Sequence, residues 1–291
     1  MVLDGRARDL VTPAGGVPWV AAEDRLHAVA TPDRTIEQIW SEPERDLTGL
    51  VGARAGARLR AALLSAVPEE RRGGTPLYLL LDDLAGASLV GGFAFTQWPE
   101  AWPEHWRNDR ERAFRGRKMS GVCVGFGPGS SALTESGEAR PVDNIRAVEP
   151  LVDPGDPLGW HDLVERDGVS MRRARRTDAW DHDGLIEIDA MFQDSCTTPS
   201  GGRVAVHEYQ VRAQARPGTY ELVSLTALPR ILPFGECPAA VTRVAELVGT
   251  PLPELRDAVI ARLHTTNGCT HLNDELRALA EVPAMLARRY G

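Results

Sequence analysis

Residues 185–215 read LIEIDAMFQDSCTTPSGGRVAVHEYQVRAQA, and the fold class can be inferred outward from this stretch. Apolar and polar side chains alternate over Leu185–Phe192 and again over Arg203–Ala215, as they do in strands with one buried face. Between these segments, Thr198-Pro199-Ser200-Gly201-Gly202 has the residue types of a hairpin turn. The stretch therefore predicts two antiparallel strands joined by a turn.

Strand patterns and helix patterns follow one another in groups. Further strands are predicted at Met171–Trp180 and Tyr220–Leu232, and helical spacing follows over Pro238–Val248, over Leu252–His264 and from Thr270 onward. A run of strands followed by a run of helices is typical of the α+β class, with an antiparallel sheet covered on one face. We therefore predict an α+β fold.

The N-terminal part contains a similar turn, strand patterns and helix patterns in the same order, which indicates an internal duplication. Its turn Thr12-Pro13-Ala14-Gly15-Gly16 corresponds to residues 198–202, and its Leu50-Val51-Gly52 step corresponds to Leu247-Val248-Gly249. Each copy then continues into an amphipathic helix and closes with an apolar helix. The order of landmarks predicts two related units, each an antiparallel sheet followed by helices.

The two copies define the expected domain organisation. Residues 1–91 form a degenerate N-terminal repeat, 92–165 an insertion that ends in a Pro-rich linker, and 166–291 the motif-bearing C-terminal repeat. We expect the repeats to pack with pseudo-twofold symmetry, because a lone small sheet leaves one face exposed. In the insertion, Trp98, Trp102 and Trp106 recur every four residues. They are interpreted as a hydrophobic cover or, alternatively, as a lid over an apolar ligand.

The composition restricts the class of protein. The 291 residues include 33 basic and 41 acidic side chains, and the net charge of −8 argues against nucleic-acid binding. No apolar run approaches the roughly 20 residues of a membrane helix, and the N-terminus MVLDGRARDL lacks a signal-peptide pattern. We expect a cytoplasmic protein without a nucleic-acid or membrane partner, and its oligomeric state stays open. Its cysteines should be free thiols or metal ligands, with Cys123 and Cys196 in or near loops without convergent partners.

Two cysteines and two histidines form a candidate site. Cys269 and His271 flank the predicted start of the last helix, where free N–H groups favour a thiolate, and Cys237 lies at a strand-to-helix junction. His207 points to the core from the apolar face of the middle strand. Mixed Cys and His ligands are typical of zinc and, next, of iron. Taken singly, the histidine fits a hydrogen-bonded core residue and the cysteines fit small buried hydrophobic residues.

The N-terminal copy lacks these four residues as a set. The position of His207 falls on Ala21 or Ala22, the Gly-Cys-Thr-His stretch is replaced by Gly74-Thr75-Pro76-Leu77, and the loop with Cys237 has no counterpart. Unrelated core residues need not vanish together, whereas members of one site do. The joint loss therefore indicates that the four residues act together.

The segment from about Arg172 to Val282 resembles a bacterial family classed as domain of unknown function 2889. Members end in a Gly-Cys-(Thr or Ile)-His motif on a terminal helix, which is matched here by residues 268–271. They also carry a cysteine after the third strand, matched by Cys237, and a histidine on the middle strand, matched by His207. The resemblance supports the grouping of these residues and implies no particular activity.

Three hypotheses for the function follow from the candidate site. The leading one is a zinc- or iron-dependent hydrolase or lyase that acts on a small, partly apolar molecule. Its ligands would be Cys237, Cys269 and His271, with His207 as the fourth ligand or as a general base. The second hypothesis is a non-catalytic binding protein with a structural metal. The third is a metal-free enzyme in which Cys269 is a thiolate nucleophile and His271 or His207 is its base.

Overall fold

The computed structural model describes residues 1–102, 118–142 and 144–290. Antiparallel sheets and helices are both present, so the predicted α+β class is confirmed. The chain forms two compact units, one of Met1–Leu89 with Ala278–Gly291 and the other of Val90–Arg277. Each unit has its own sheet.

The first unit is built on a three-stranded antiparallel sheet in the order β1-β2-β3. Its strands are β1 (Val2–Val11), β2 (Trp19–Ala30) and β3 (Ile36–Glu42), and they are followed by helices α1 (Leu59–Ala66), α2 (Pro68–Gly73) and α3 (Pro76–Val90). Alternate residues of β2, such as Leu26 and Ala28, are buried against apolar side chains of the helices. The helices therefore cover one face of the sheet.

One helical stretch of the described chain is long and apolar enough, by length and composition, to cross a membrane. It runs over Pro76–Gln97, spans 22 residues, and half of its most apolar part is buried inside the protein. The core helix of a soluble protein has the same properties, and Leu77 and Leu81 are fully buried. The sequence-based statement that no apolar run approaches this length is nevertheless wrong.

The second unit contains the sheet predicted from residues 185–215. Its strands are β4 (Arg146–Val148), β5 (Met171–His182), β6 (Leu185–Thr197), β7 (Arg203–Ala215) and β8 (Leu222–Ile231). The order is β5-β6-β7, and β4 and β8 pair with successive parts of the free edge of β7. Tyr220, predicted as the start of the last strand, has a φ of 56° and lies in the preceding turn.

The helices of the second unit are shorter than predicted. Among the described residues of this unit they are α4 (Ala94–Gln97), α5 (Leu255–Arg262) and α6 (Thr270–Ala278), and residues 278–290 add α7 (Val282–Ala287) to the first unit. The segment Cys237–Leu247 is a 3₁₀ helix, where an α-helix was expected. Pro238 and several β-branched residues lower the α-helical propensity of this segment.

The same backbone features recur in the two units. The N–H of Gly52 donates to the carbonyl of Ile36 at 2.8 Å, and the N–H of Gly249 donates to that of Leu222 at 2.9 Å. In each unit the hydrogen bond connects the Leu-Val-Gly step to the first residue of a strand, which is Ile36 of β3 or Leu222 of β8. A register shift also follows Asp9 in β1 and Asp194 in β6.

Two of the three regularly spaced tryptophans lie in the described part of the insertion. The indole N–H of Trp98 donates to the carbonyl of Thr197 at 2.9 Å, and that of Trp102 donates to the carbonyl of Phe95. Trp102 is buried, whereas Trp106 lies outside the described residues. Trp98 is thus tied to the end of β6 and Trp102 to the preceding helix α4, and the role as a lid stays a prediction.

Candidate metal centre

His207 lies in the middle of β7 and faces the helices. Tyr209, Val211 and Ala213 share this face and are buried, whereas Ala205 lies beyond a register shift and pairs with Ser195. Side chains alternate between the two faces of a strand, so a residue two positions before a buried, inward-facing residue also points inward. The sequence-based orientation of His207 is confirmed.

Asp194 lies opposite His207 on the neighbouring strand. It continues the inward row of β6 after Ile188, Ala190 and Phe192, and its side chain is fully buried. Asp194 and His207 lie opposite each other in the pairing of β6 with β7, and the pairing register shifts by one residue directly after Asp194. The sheet thereby places a carboxylate and an imidazole side by side.

His271 completes the group from the first turn of α6. Its ring stacks on that of His207, with centroids 3.5 Å apart and an interplanar angle of 19°. The turn before α6 is tight, because a Cβ at Gly268 would lie 2.3 Å from the carbonyl oxygen of Leu263. The side-chain amide of Asn273 donates to the same oxygen at 2.6 Å. These contacts fix the start of α6 and therefore the position of His271.

The three side chains converge on one carboxylate oxygen. Oδ2 of Asp194 lies 3.6 Å from Nδ1 of His207 and 3.9 Å from Nε2 of His271, which is too long for hydrogen bonds. Both nitrogens are buried, and neither has a hydrogen-bond partner within residues 1–102, 118–142 and 144–290. One ligand atom from each side chain lies within 4.8 Å of the others, an arrangement that could hold a metal ion.

A buried arginine holds Asp194 from the opposite side. Nε and Nη2 of Arg173 donate to the two carboxylate oxygens of Asp194, each at 3.0 Å. Nη1 of Arg173 donates to Asp274 on α6 at 2.7 Å, and Arg277 donates to the other oxygen of Asp274 at 2.8 Å. This chain of ion pairs links the sheet to α6 behind the candidate site.

The surroundings keep Asp194 ionised and His271 neutral. Burial alone would raise the pKa of Asp194, but the charge of Arg173 and the hydrogen bonds that Arg173 donates hold it well below 3.8, with the two neighbouring imidazoles adding to the shift. Burial and the proximity of His207 lower the pKa of His271 from 6.5 to about 3. An ionised carboxylate beside a neutral imidazole is the protonation pattern that metal ligands require.

Cys269 lies on the far side of His271 from Asp194. Its Sγ is 3.9 Å from Nδ1 of His271, and Oγ1 of Thr270 lies 3.3 Å from the same nitrogen. Within the described part of the chain, the group of ligand atoms within 4.8 Å contains no cysteine. The structure thus places Cys269 beside the outer nitrogen of His271.

Cys237, the fourth predicted site residue, lies with Cys123. A Cβ at Gly125 would be 2.6 Å from Sγ of Cys237 and 3.8 Å from Sγ of Cys123. The turn that carries Gly125 is held by the hydrogen bond from the N–H of Val124 to the carbonyl of Gly268, at 2.9 Å. The expectation that Cys123 has no convergent partner is wrong, because this turn of the insertion folds back onto the motif.

Burial determines the state of the thiols. It raises the pKa of Cys269, and it raises that of Cys237 to about 12 and that of Cys123 to about 11, with neighbouring thiols adding to the last two shifts. The helix start was expected to favour a thiolate at Cys269, but the desolvation cost is larger than the effect of the helix N–H groups. Protonated thiols are poor nucleophiles, which argues against the metal-free thiolate enzyme.

Sequence reasoning missed Asp194 and Arg173. The strand prediction ended at Phe192, although Asp194 is the next inward position on the same strand. A carboxylate on an apolar strand face is the signal that could have identified it, because such a group requires a charged partner. Arg173 and Arg175 alternate on the adjacent strand and lie over the ring of Phe192, 4.8 Å and 5.6 Å from its centroid.

Residues 171–285 match the family model described as protein of unknown function (DUF2889). The match confirms the resemblance for this segment, which contains all the candidate site residues on the sheet and on α6. No curated protein and no solved structure matches the chain.

Proposed function

We propose that the protein is a metal-dependent enzyme of the hydrolase or lyase type, in which Asp194, His207 and His271 hold one zinc or iron(II) ion. The observation that carries this proposal is the convergence of two unpartnered, buried imidazole nitrogens on one carboxylate oxygen. Buried polar atoms normally have partners, because an unsatisfied group costs about 1–3 kcal/mol. A cation between these atoms would satisfy all three.

The donor set fits this type of ion. Two histidines and one carboxylate with open positions are typical of catalytic zinc and of non-haem iron(II). Ligand atoms in tetrahedral zinc sites with bonds of about 2.0–2.1 Å lie about 3.4 Å apart. The separations of 3.6 Å and 3.9 Å at Asp194 need to close by only a few tenths of an ångström.

Metal binding also requires the histidine rings to move. The lone pair of an imidazole nitrogen lies in the plane of its ring, so two stacked rings direct their lone pairs alongside each other. The rings of His207 and His271 must therefore tilt away from their 19° stack. Nδ1 of His271 has Thr270 and Cys269 beside it, and a hydrogen bond on that side leaves Nε2 free to bind the ion.

The open side of the site lies next to the histidines. Their side chains are each 11% exposed, whereas that of Asp194 is fully buried. A bound ion would supply Lewis acidity and a water with a pKa near 7. A small-molecule substrate would approach past the imidazoles, because Arg173 and α6 close the carboxylate side. This ligand set replaces Cys237 and Cys269 of the sequence-based hypothesis with Asp194.

We infer that the first unit is a duplicate that has lost the site. Asp9 precedes the register shift of its sheet as Asp194 does in the second unit, but its partner across the ladder is Ala22, where the second unit has His207. Asp9 pairs instead with Arg288. The recurring hydrogen bonds of the Leu-Val-Gly steps support the same correspondence. The proposed activity therefore belongs to the second unit.

Metal analysis of the full-length protein tests the proposal. After reconstitution with zinc, iron(II) or cobalt(II) and removal of free metal, we expect one bound equivalent in the natural protein. The His207→Gln and His271→Gln variants should lose it. His182→Gln is the matched control, because His182 also lies beside an aspartate but is 63% exposed.

The bound cobalt should show visible d–d bands without a thiolate charge-transfer band. A folded natural protein that binds none of these ions would overturn the proposal, and a strong thiolate band would return the cysteines to the ligand set.

A further inference from the structure

We propose that the metal centre accepts a small anionic substrate, for which a simple carboxylate serves as the probe. This inference rests on the proposed function and adds the class of substrate. It follows from the charges that surround Asp194, the only acidic side chain in the group of candidate ligands.

The negative charge of Asp194 is already matched before any metal binds. Arg173 donates to both of its carboxylate oxygens, each at 3.0 Å. Arg173 also pairs with Asp274 at 2.7 Å, and Asp274 pairs with Arg277 at 2.8 Å. In this chain of contacts, acidic and basic groups alternate and their charges cancel. The two histidines add no charge when they act as neutral ligands.

A divalent cation would therefore leave the site with about two uncompensated positive charges. The four side chains of the ion-pair chain are at most 6% exposed, so water screens this excess poorly. A buried net charge is costly unless a group of opposite sign compensates it. An anionic ligand on the open positions of the metal would reduce the excess, whereas a neutral ligand would leave it unchanged.

The geometry directs such an anion to the histidine side. Oδ2 of Asp194 accepts a hydrogen bond from Arg173 and faces both imidazole nitrogens. The carboxylate of Asp194 would therefore bind the metal from the buried side of the site. The histidines border solvent and Asp194 does not. A carboxylate can reach the metal past the imidazole rings without passing another carboxylate of the ion-pair chain.

Cobalt-loaded protein allows the inference to be tested without knowing the natural substrate. Acetate and acetamide have nearly the same size and differ in charge, and each is titrated at constant ionic strength while the cobalt d–d bands are recorded. We expect acetate to shift the bands with saturation and to bind at least about tenfold more tightly than acetamide, as one extra charge interaction at low screening implies. Equal responses to both probes, or no response to acetate, would overturn the inference. If cobalt does not bind at all, the proposed function fails before any anion is added.

A pair of arginine variants links the preference to the charge balance. Arg173→Gln leaves the charge of Asp194 unmatched, so acetate should bind the cobalt-loaded variant about tenfold or more weakly. Arg176→Gln is the control, because Arg176 lies on the same strand but pairs with Asp156 and Asp178. It should leave acetate affinity unchanged. An unchanged affinity in folded Arg173→Gln would contradict the charge argument, and if this variant does not fold, the comparison of acetate with acetamide still decides.

Discussion

The imidazole rings of His207 and His271 stack with centroids 3.5 Å apart, although 64 positions of sequence separate the two residues. The contact joins the middle strand of the sheet to the first turn of α6. Asp194 reaches both rings from the next strand, and Arg173 ties Asp194 to α6. The site is therefore a junction between sheet and helix, and changes at either side should affect both metal binding and stability.

Asp194→Asn is expected to destabilise the protein strongly. The substitution keeps the shape but leaves the buried charge of Arg173 without its bidentate partner, and breaking a buried pair in this way typically costs 3–5 kcal/mol, so we expect about that loss. Urea unfolding monitored by circular dichroism measures it. Asp178→Asn is the control, because Asp178 pairs with Arg176 at a 48% exposed position and should change the free energy of unfolding by less than about 1 kcal/mol. Similar losses in both variants would show that the buried pair has no special role.

The stability of the metal-depleted protein should fall on acidification. The pKa of His271 is lowered from 6.5 to about 3 in the folded state, so the unfolded chain binds the proton first as the pH decreases. This contribution to stability is complete above pH 6.5 and is lost between that pH and about 3. The lowered pKa of Asp194 acts in the same direction below its unfolded value of 3.8.

The variant His271→Gln isolates the histidine contribution. Its free energy of unfolding, measured by urea titration at several pH values in the presence of a chelator, should vary less between pH 6.5 and 4 than that of the natural protein. The control His182→Gln, at an exposed position, should keep the natural pH dependence. Equal slopes in the natural protein and in His271→Gln would contradict the assignment of this window to His271.

Gly268→Ala should destabilise the protein by steric overlap. The φ of Gly268 is −153°, an extended value that any residue adopts, so the cost comes from the 2.3 Å approach of a Cβ to the carbonyl oxygen of Leu263. Overpacking of this kind costs about 1–3 kcal/mol and should shift the start of α6 with His271. Gly235→Ala is the control, because a Cβ at that glycine meets nothing within 4 Å. Thermal unfolding of both variants, followed by cobalt titration, checks the two effects.

The alternation of residues 185–215 was sufficient to predict β6, β7 and the inward position of His207, because a period of two is a local property of the chain. The start of α6 at Thr270 was also predictable from local residue types. The register shift after Asp194 was not, because it depends on the pairing of two strands. The neighbourhood of Cys123 and Cys237 depends on a turn of the insertion that folds back over a long sequence distance, and no periodic pattern encodes such a contact.

The last prediction separates the two possible roles of Cys269. If the thiol only supports His271 from its outer nitrogen, at 3.9 Å, then Cys269→Ser should still bind one equivalent of zinc or cobalt. Its affinity should fall by roughly 10–100-fold, as is typical when a partner of a metal-bound histidine is changed. If the thiolate is a ligand, the variant should lose the metal, because a serine hydroxyl is not ionised at neutral pH and is a poor ligand for zinc. Competition with a chromophoric chelator measures the affinity.

Cys196→Ser is the matched control, because Cys196 is a fully buried thiol with a pKa raised by burial, and it lies outside the group of candidate ligands. It should lower stability but leave metal affinity unchanged, so a folded Cys269→Ser protein without metal would assign the ion to the cysteine.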